Sequence, residues 1–238
     1  MRPEVQFWDK MLPDQPEHAH LYHGHAFMRD LFATVCRSSG IRDPHDEFKI
    51  EQSDMFTVEE MASNPIAMRF LQFLIRVAGV RRVLEIGAFV GLSTMCFAKA
   101  LPADGKVVSI EKFDKFAAIA RRNFEINGLA GKIDLFQGDA FEVIDRLPRG
   151  EMFDLVFIDG NKERYMDYAV KTEPLLAPKG IMVVDDCFYH GDVLNAAPTD
   201  AKGVGTKAFM DYAASSDGWL RIALPVSNGM FLMTRGDS

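Results

Sequence analysis

The sequence predicts a doubly wound α/β domain: a seven-stranded, mostly parallel sheet with helices on both faces and an antiparallel hairpin at its C-terminal end. Three observations predict it. From residue 65 onward, short β-rich runs alternate with longer runs of helical apolar spacing. A parallel return needs a crossover, and each of the five strands is followed by a helix able to make one, so the sheet is covered on both faces. The last two β-rich runs flank Ser227-Asn228-Gly229, a hairpin signal that makes the final pair antiparallel.

Residues 1–60 read differently from the rest. Helical spacing over 27–36 is interrupted by polar stretches holding Pro13, Pro16 and Pro44, which predicts an N-terminal helical appendage ahead of a main domain over 61–238. Next, Ile66, Phe70, Leu71, Leu74 and Ile75 mark an amphipathic helix from Pro65 to Gly79, a residue suited to the C-terminal cap. Strands are expected at 82–86, 106–111, 132–137, 153–158 and 180–185, with helices at 93–101, 115–127, 141–147 and 162–176. A helix at 207–214 and strands at 219–226 and 230–234 complete the set. KGVGTK at 202–207 is glycine-rich but does not fit G-x-x-x-x-G-K-[ST], and is expected to be a flexible loop.

Composition narrows the function. A chain of 238 residues fits one large domain and buries a sizeable core without disulfides or structural metal. The net charge of −7 argues against a nucleic-acid partner, because phosphate affinity needs clustered Lys and Arg. Three cysteines, odd in number and without C-x-x-C spacing, suit reduced thiols in a cytoplasmic setting. No apolar run is long enough to span a bilayer and residues 1–30 lack a signal-peptide core, so a cytoplasmic protein without a membrane partner is expected. His18, His20, His23 and His25 form H-x-H pairs, read as a polar segment in preference to a zinc site.

Ligands of such sheets bind at the carboxyl ends of the strands, where strand order reverses. The first strand ends in Glu85-Ile86-Gly87-Ala88-Phe89-Val90-Gly91, whose G-x-x-x-G spacing is not the dinucleotide fingerprint. Glu85 beside the loop repels a phosphate but suits a sulfonium or ammonium. Glu111 ends the second strand, where a carboxylate can accept ribose hydroxyl bonds, and Gly138-Asp139-Ala140 after the third suits an adenine edge. Singly, each of these fits a tight turn or a solvated cap. Jointly, after three successive strands, they describe a nucleoside without phosphates.

A second constellation follows. The fourth strand ends at Asp159 and the fifth at Asp185-Asp186; as neighbours, these strands bring three carboxylates to one rim, which repel unless a cation holds them. Oxygen ligands select Mg²⁺, Ca²⁺ or Mn²⁺. An EF-hand starting at Asp159 fails, since its sixth position is Arg164 and not Gly. Lys162 faces the same rim, placed to take a phenolic proton if its pKa is lowered; taken singly, it also fits a surface lysine on an exposed helix, and Asp185-Asp186 a solvated turn after a strand.

These residues carry a resemblance. The segments VLEIGAFVGLS (83–93), SIE (109–111), GDA (138–140), FIDGNKERY (157–165), VVDDCFYHG (183–191) and LPVSNG (224–229) resemble, in order and spacing, those of the cation-dependent O-methyltransferases, the family of catechol and caffeoyl-coenzyme A O-methyltransferases. The resemblance runs from about residue 61 to the C-terminus and implies a Rossmann-like fold and S-adenosylmethionine as methyl donor. It implies that Glu85, Gly87 and Ser93 hold the methionine part of the donor, Glu111 its ribose, and Asp139 and Ala140 its adenine, with the Met61-Ala62-Ser63 segment lying over the donor. It also implies a divalent cation on Asp159, Asp185 and Asp186, with Asp159 bordering the donor too, Lys162 as general base, and Tyr189 against the ring of an aromatic diol acceptor. Asp186 departs from the family's usual asparagine, adding a negative charge, and Ala67 stands where plant relatives place a glutamate. A homodimer is expected, with residues 1–60 shaping the acceptor pocket and the dimer contact. Two other readings share part of the pattern: a metal-independent methyltransferase acting on nitrogen or a single hydroxyl, which chelator titration separates, and a donor-binding protein without turnover, which any turnover eliminates.

Overall fold

The computed structural model describes residues 25–148 and 150–236. His18, His20 and His23 lie outside them. The chain divides into two compact units, 1–42 and 43–238. In the first, α1 (His25–Ser38) extends the expected helix by two residues at each end. Gly40, at φ +60°, follows its C-terminus.

The second unit begins at Asp43, eighteen residues before the expected boundary at 61. Physical reasons are plain in residues 43–60. Phe48 and Val58 are buried in the main core. Asn123 and Asn127 hold the intervening backbone, Asn123 Oδ1 accepting from Glu51 N at 2.7 Å and Asn127 Oδ1 from Lys49 N at 3.0 Å. Two short helices form here, α2 (Pro44–Glu47), capped by Asp43, and α3 (Val58–Met61), with a Thr57/Glu60 capping box.

Next comes α4 (Pro65–Val77), started by the Asn64 side chain and Pro65, and ended by Gly79 at φ +68° as expected. The core alternation then runs β1 (Arg82–Ile86), α5 (Leu92–Ala100), β2 (Lys106–Glu111), α6 (Asp114–Ile126), β3 (Ile133–Gln137), α7 (Ala140–Arg146), β4 (Phe153–Ile158), α8 (Tyr165–Thr172), β5 (Leu176–Val184), α9 (Ala201–Ser215), β6 (Trp219–Leu224) and β7 (Met230–Arg235). Strand order is β3-β2-β1-β4-β5-β7-β6. The first five are parallel and β7 pairs antiparallel with both β5 and β6, which is the expected architecture.

Two expectations are corrected. The helix expected over 162–176 is a 3₁₀ turn at Lys162–Arg164, then α8, then a second such turn at Glu173–Leu175; β5 begins at Leu176 and slips register between Phe153 and Leu155 to take in Pro178. KGVGTK is not a loop: residues 202–207 lie in α9, and both of their glycines are buried.

Strand alternation builds a core on each face. Val83, Val107, Leu155, Phe157 and Val183 meet Leu71 and Ile75 of α4, Met95 and Phe97 of α5, and Phe124 of α6. Leu84, Ile86, Val108, Ile110, Val156 and Ile158 meet Val143 of α7, Tyr165 and Ala169 of α8, and Phe209 of α9. Phe157 is fully buried, its ring edge-on to Phe97 at 5.1 Å. Phe157→Ala should therefore cost about 3–5 kcal/mol, read as a lower denaturant midpoint at constant slope. Among the described residues, no helix is long and apolar enough to cross a membrane.

Candidate active site

Strand order reverses between β1 and β4, so the crevice lies at their carboxyl ends. Backbone bonds align the rims: Gly87 N donates to Ile110 O, Asp159 N to Ile86 O and Asp185 N to Ile158 O. Gly87, at φ +99°, touches the next strand's loop so closely that a Cβ would lie 2.8 Å from the Asp159 carbonyl carbon. Gly91, at φ +91°, caps α5 against the Phe124 ring. The G-x-x-x-G spacing thus serves packing as well as the turn.

Glu85 is fully enclosed beneath this loop. Ser93 Oγ donates to its Oε1 at 2.6 Å, and the hydroxyls of Thr94 and Ser109 donate to Oε2. Burial pushes its pKa to about 6 against those three bonds. It ties β1, β2 and α5 together and orients Ser93 from below, with no solvent-exposed surface of its own. Glu111 accepts from the backbone of Phe89 at 2.8 Å and of Phe113 at 2.9 Å, and burial raises its pKa. It thereby holds Phe89 at a left-handed φ of +52°.

Asp139 caps α7 through Phe141 N at 3.0 Å and pairs with Lys112 at 3.5 Å, while Ala140 is buried beside it. Gly138 N bonds Glu111 O, so the ends of β2 and β3 are in step. Met61 ends α3 half-exposed, and two residues on Ser63 Oγ donates to Asp159 Oδ2 at 3.3 Å. The Met61-Ala62-Ser63 segment thus reaches the acidic rim.

At that rim Lys162 sits between carboxylates, its Nζ 3.4 Å from Asp159 Oδ1 and 3.1 Å from Asp186 Oδ2. Asp159 is desolvated; burial, reinforced by Asp185 and Asp186, outweighs Lys162 and pushes its pKa up to about 8. Burial and Asp186 push Asp185 to about 6. Burial alone would lower the pKa of Lys162, but Asp159 and Asp186 prevail and raise it. Among the described residues no three His, Cys, Asp or Glu side chains are drawn together at ligand spacing. The acids expected to ligate a cation do share one rim; an ammonium links two of them. One ammonium does not offset the burial and mutual repulsion that raise the pKa of Asp159 and Asp185, and an all-oxygen donor set of this kind would fit a hard dication able to hold all three acids ionised.

Three residues at the site were not among those expected from the sequence. Tyr165, fully buried, donates its hydroxyl to Asp159 Oδ1 at 3.4 Å and carries the Lys162 ammonium 5.6 Å from its ring centre. Thr94 and Ser109 complete the cage around Glu85. Tyr165 had a signal, an aromatic opening a helix three residues after Lys162, and Ser109 opens the SIE segment; Thr94 had none. Tyr189, at φ +38°, borders a pocket of about 330 Å³ shared with His190, Asp192, Asn195 and Thr199.

Comparison with known proteins adds to this geometry. An O-methyltransferase family model matches residues 46–236. The chain is 30% identical over 148 residues to a catechol O-methyltransferase of Niastella koreensis, covering 61% of this chain and 67% of that protein. It is 30% identical over 185 residues to caffeoyl-CoA O-methyltransferase 1 of Eucalyptus globulus, covering 70% and 72% respectively. The crystal structure of the Streptomyces achromogenes O-methyltransferase TomG, in complex with SAM, superposes with a TM-score of 0.70 at 29% identity, over 75% of this chain and 83% of that one. With a family match over four fifths of its length, the chain belongs to the O-methyltransferase family and is an S-adenosylmethionine-dependent enzyme.

Proposed function

We propose that this enzyme methylates one hydroxyl of a catechol-type acceptor with the help of a divalent cation held by Asp159, Asp185 and Asp186. The observation that carries the reading is the rim itself: three carboxylates at the ends of β4 and β5, two with pKa values raised by burial, against the single ammonium of Lys162. When bound, a cation such as Mg²⁺ supplies the charge that makes an adjacent hydroxyl acidic near neutral pH. Relatives named for catechol and caffeoyl-CoA support an acceptor with two neighbouring hydroxyls.

The chain's own groups do the rest. Asp159 and Asp186 are what raise the pKa of Lys162; with those carboxylates engaged elsewhere, burial is left to lower it, the direction a general base needs. Lys162 Nζ then takes the phenolic proton. The phenolate oxygen attacks the sulfonium methyl in line, the new C–O bond forming as the C–S bond breaks, and the thioether leaves with the electron pair. Ser93, held by Glu85, and the Glu111 carboxylate orient the donor, and Tyr189 packs against the acceptor ring. Most of the acceleration comes from orientation and from the mutual neutralisation of sulfonium and phenolate. The expected homodimer and cytoplasmic setting belong to the same reading.

Labelled methyl transfer to catechol, with and without chelator, tests it. Turnover should fall by at least about a hundredfold in excess chelator and return with Mg²⁺ or Mn²⁺. Undiminished turnover in chelator would leave a metal-independent enzyme with a purely structural acidic rim.

A further inference from the structure

The glycine-rich stretch 202–207 lies where function had no use for it, and its packing is specific. Two of its glycines occur in the first half of α9, an interior position that costs about 1 kcal/mol each relative to alanine. Gly205 lies against the turn that carries Lys162: a Cβ there would come within 2.5 Å of Glu163 Cα and 2.8 Å of its carbonyl carbon, and closer still to the Lys162 carbonyl oxygen. Gly203, half a turn earlier, takes the Asp192 side chain in the same way, its absent Cβ lying 2.7 Å from Asp192 Cγ. Asp192 is the hub of the acceptor-side loop. It accepts from Asn195 Nδ2, from Thr199 N and Oγ1, and from Asp200 N, closing residues 192–200 next to Tyr189.

If a side chain were introduced, the turn would have to yield and the helix would not. Phe209 and Ala213 of α9 are fully buried, and the Phe209 ring stands edge-on to Phe231 at 5.3 Å, which fixes the helix to the sheet. Glu163 and Arg164 of the turn are exposed and Lys162 is only part-buried.

We propose that Gly205 is a positioning residue that sets the place of Lys162 from behind, and that Gly203 does the same for the acceptor-side loop through Asp192. Opposite sides of one helical turn thus set the height of the base and the wall of the acceptor pocket. The assignment rests on Lys162 being the base in the reading above.

The test uses the full-length enzyme with S-adenosylmethionine and catechol. Gly205→Ala should lower kcat by about a hundredfold, the scale of a misplacement near 1 Å, with donor affinity unchanged in calorimetry. Gly203→Ala should instead raise the acceptor KM by about tenfold, with kcat and donor affinity little altered. A double-variant cycle distinguishes positioning from general damage: Lys162→Ala/Gly205→Ala should be no slower than Lys162→Ala alone. An additive further loss in the double variant would overturn the proposal, as would a Gly205→Ala enzyme within twofold of the parent. Loss of donor binding in Gly205→Ala would also overturn it, since the glycine would then serve the whole sheet and not one turn. Failure of the underlying reading looks different: Lys162→Ala would then itself keep full turnover.

Discussion

Asp159→Asn should lower kcat on the order of 10³-fold while leaving the metal-free protein at least as heat-stable as its parent. The two halves of this expectation have one cause. Asp159 is buried among Asp185, Asp186 and Tyr165, where its ionised form is disfavoured by desolvation and by two like charges. The amide keeps one acceptor oxygen, for Tyr165, and presents an NH2 that can donate to the Ser63 hydroxyl oxygen; folding gives up the 3.4 Å pairing with Lys162 but is relieved of a charge disfavoured by burial and by two like neighbours. Turnover, on the proposed reading, loses both a cation ligand and the carboxylate that borders the donor. Opposed changes in activity and stability are the mark of a site kept for function against the interest of the fold. Melting curves and initial rates on the same preparation check it, and a variant that is active, or one that is both inactive and markedly less stable, would count against a functional Asp159.

Raising the pH should destabilise the metal-free protein, and a divalent cation should reverse the effect. The folded-state values of about 8 for Asp159 and about 6 for Asp185 and Glu85 lie above their ordinary values of 3.8 and 4.5. An acid whose pKa rises on folding is held protonated more tightly by the folded chain than by the unfolded one. Its stabilisation is complete below the ordinary value and is lost as pH passes through the folded value, here between about 4 and 8. The melting temperature in chelator should therefore fall from pH 5 to pH 8. Mg²⁺ or Mn²⁺ should raise it at pH 8 and much less at pH 5, because protons and cation compete for the same oxygens. Calorimetric scans at both pH values, with and without cation, decide it; an upward slope in chelator would contradict the burial argument, and a cation shift independent of pH would place the ion elsewhere.

Much of the fold was legible because its strands are short, buried and bounded by glycine or by charge. β1, β2 and β4 run over the residues expected from the sequence, since apolar runs such as Val83–Leu84 and Leu155–Ile158 have no other way to hide. What escaped depended on partners far away in the chain. The glycines of α9 look like a loop until Asp192 and the Lys162 turn are set against them. Residues 43–60 look like an appendage until Asn123 and Asn127, some seventy residues on, bind their backbone. The rim acids were legible from their places after β4 and β5, but the ammonium linking Asp159 with Asp186, and the Tyr165 hydroxyl beneath, follow from side-chain directions that no spacing encodes. Glu85 was read as a group facing a cation; three hydroxyls from two other elements enclose it.

Asp192 draws its bonds from Asn195, Thr199 and Asp200, all within eight residues of itself, whereas the donor side is knitted by contacts between strands, such as Gly87 against Asp159. The loop is a self-contained cassette seated on a fixed chassis. On the proposed reading, exchanging residues 192–200 as a block, with the Gly203 seat retained, should change acceptor preference and leave methyl-donor affinity unaltered.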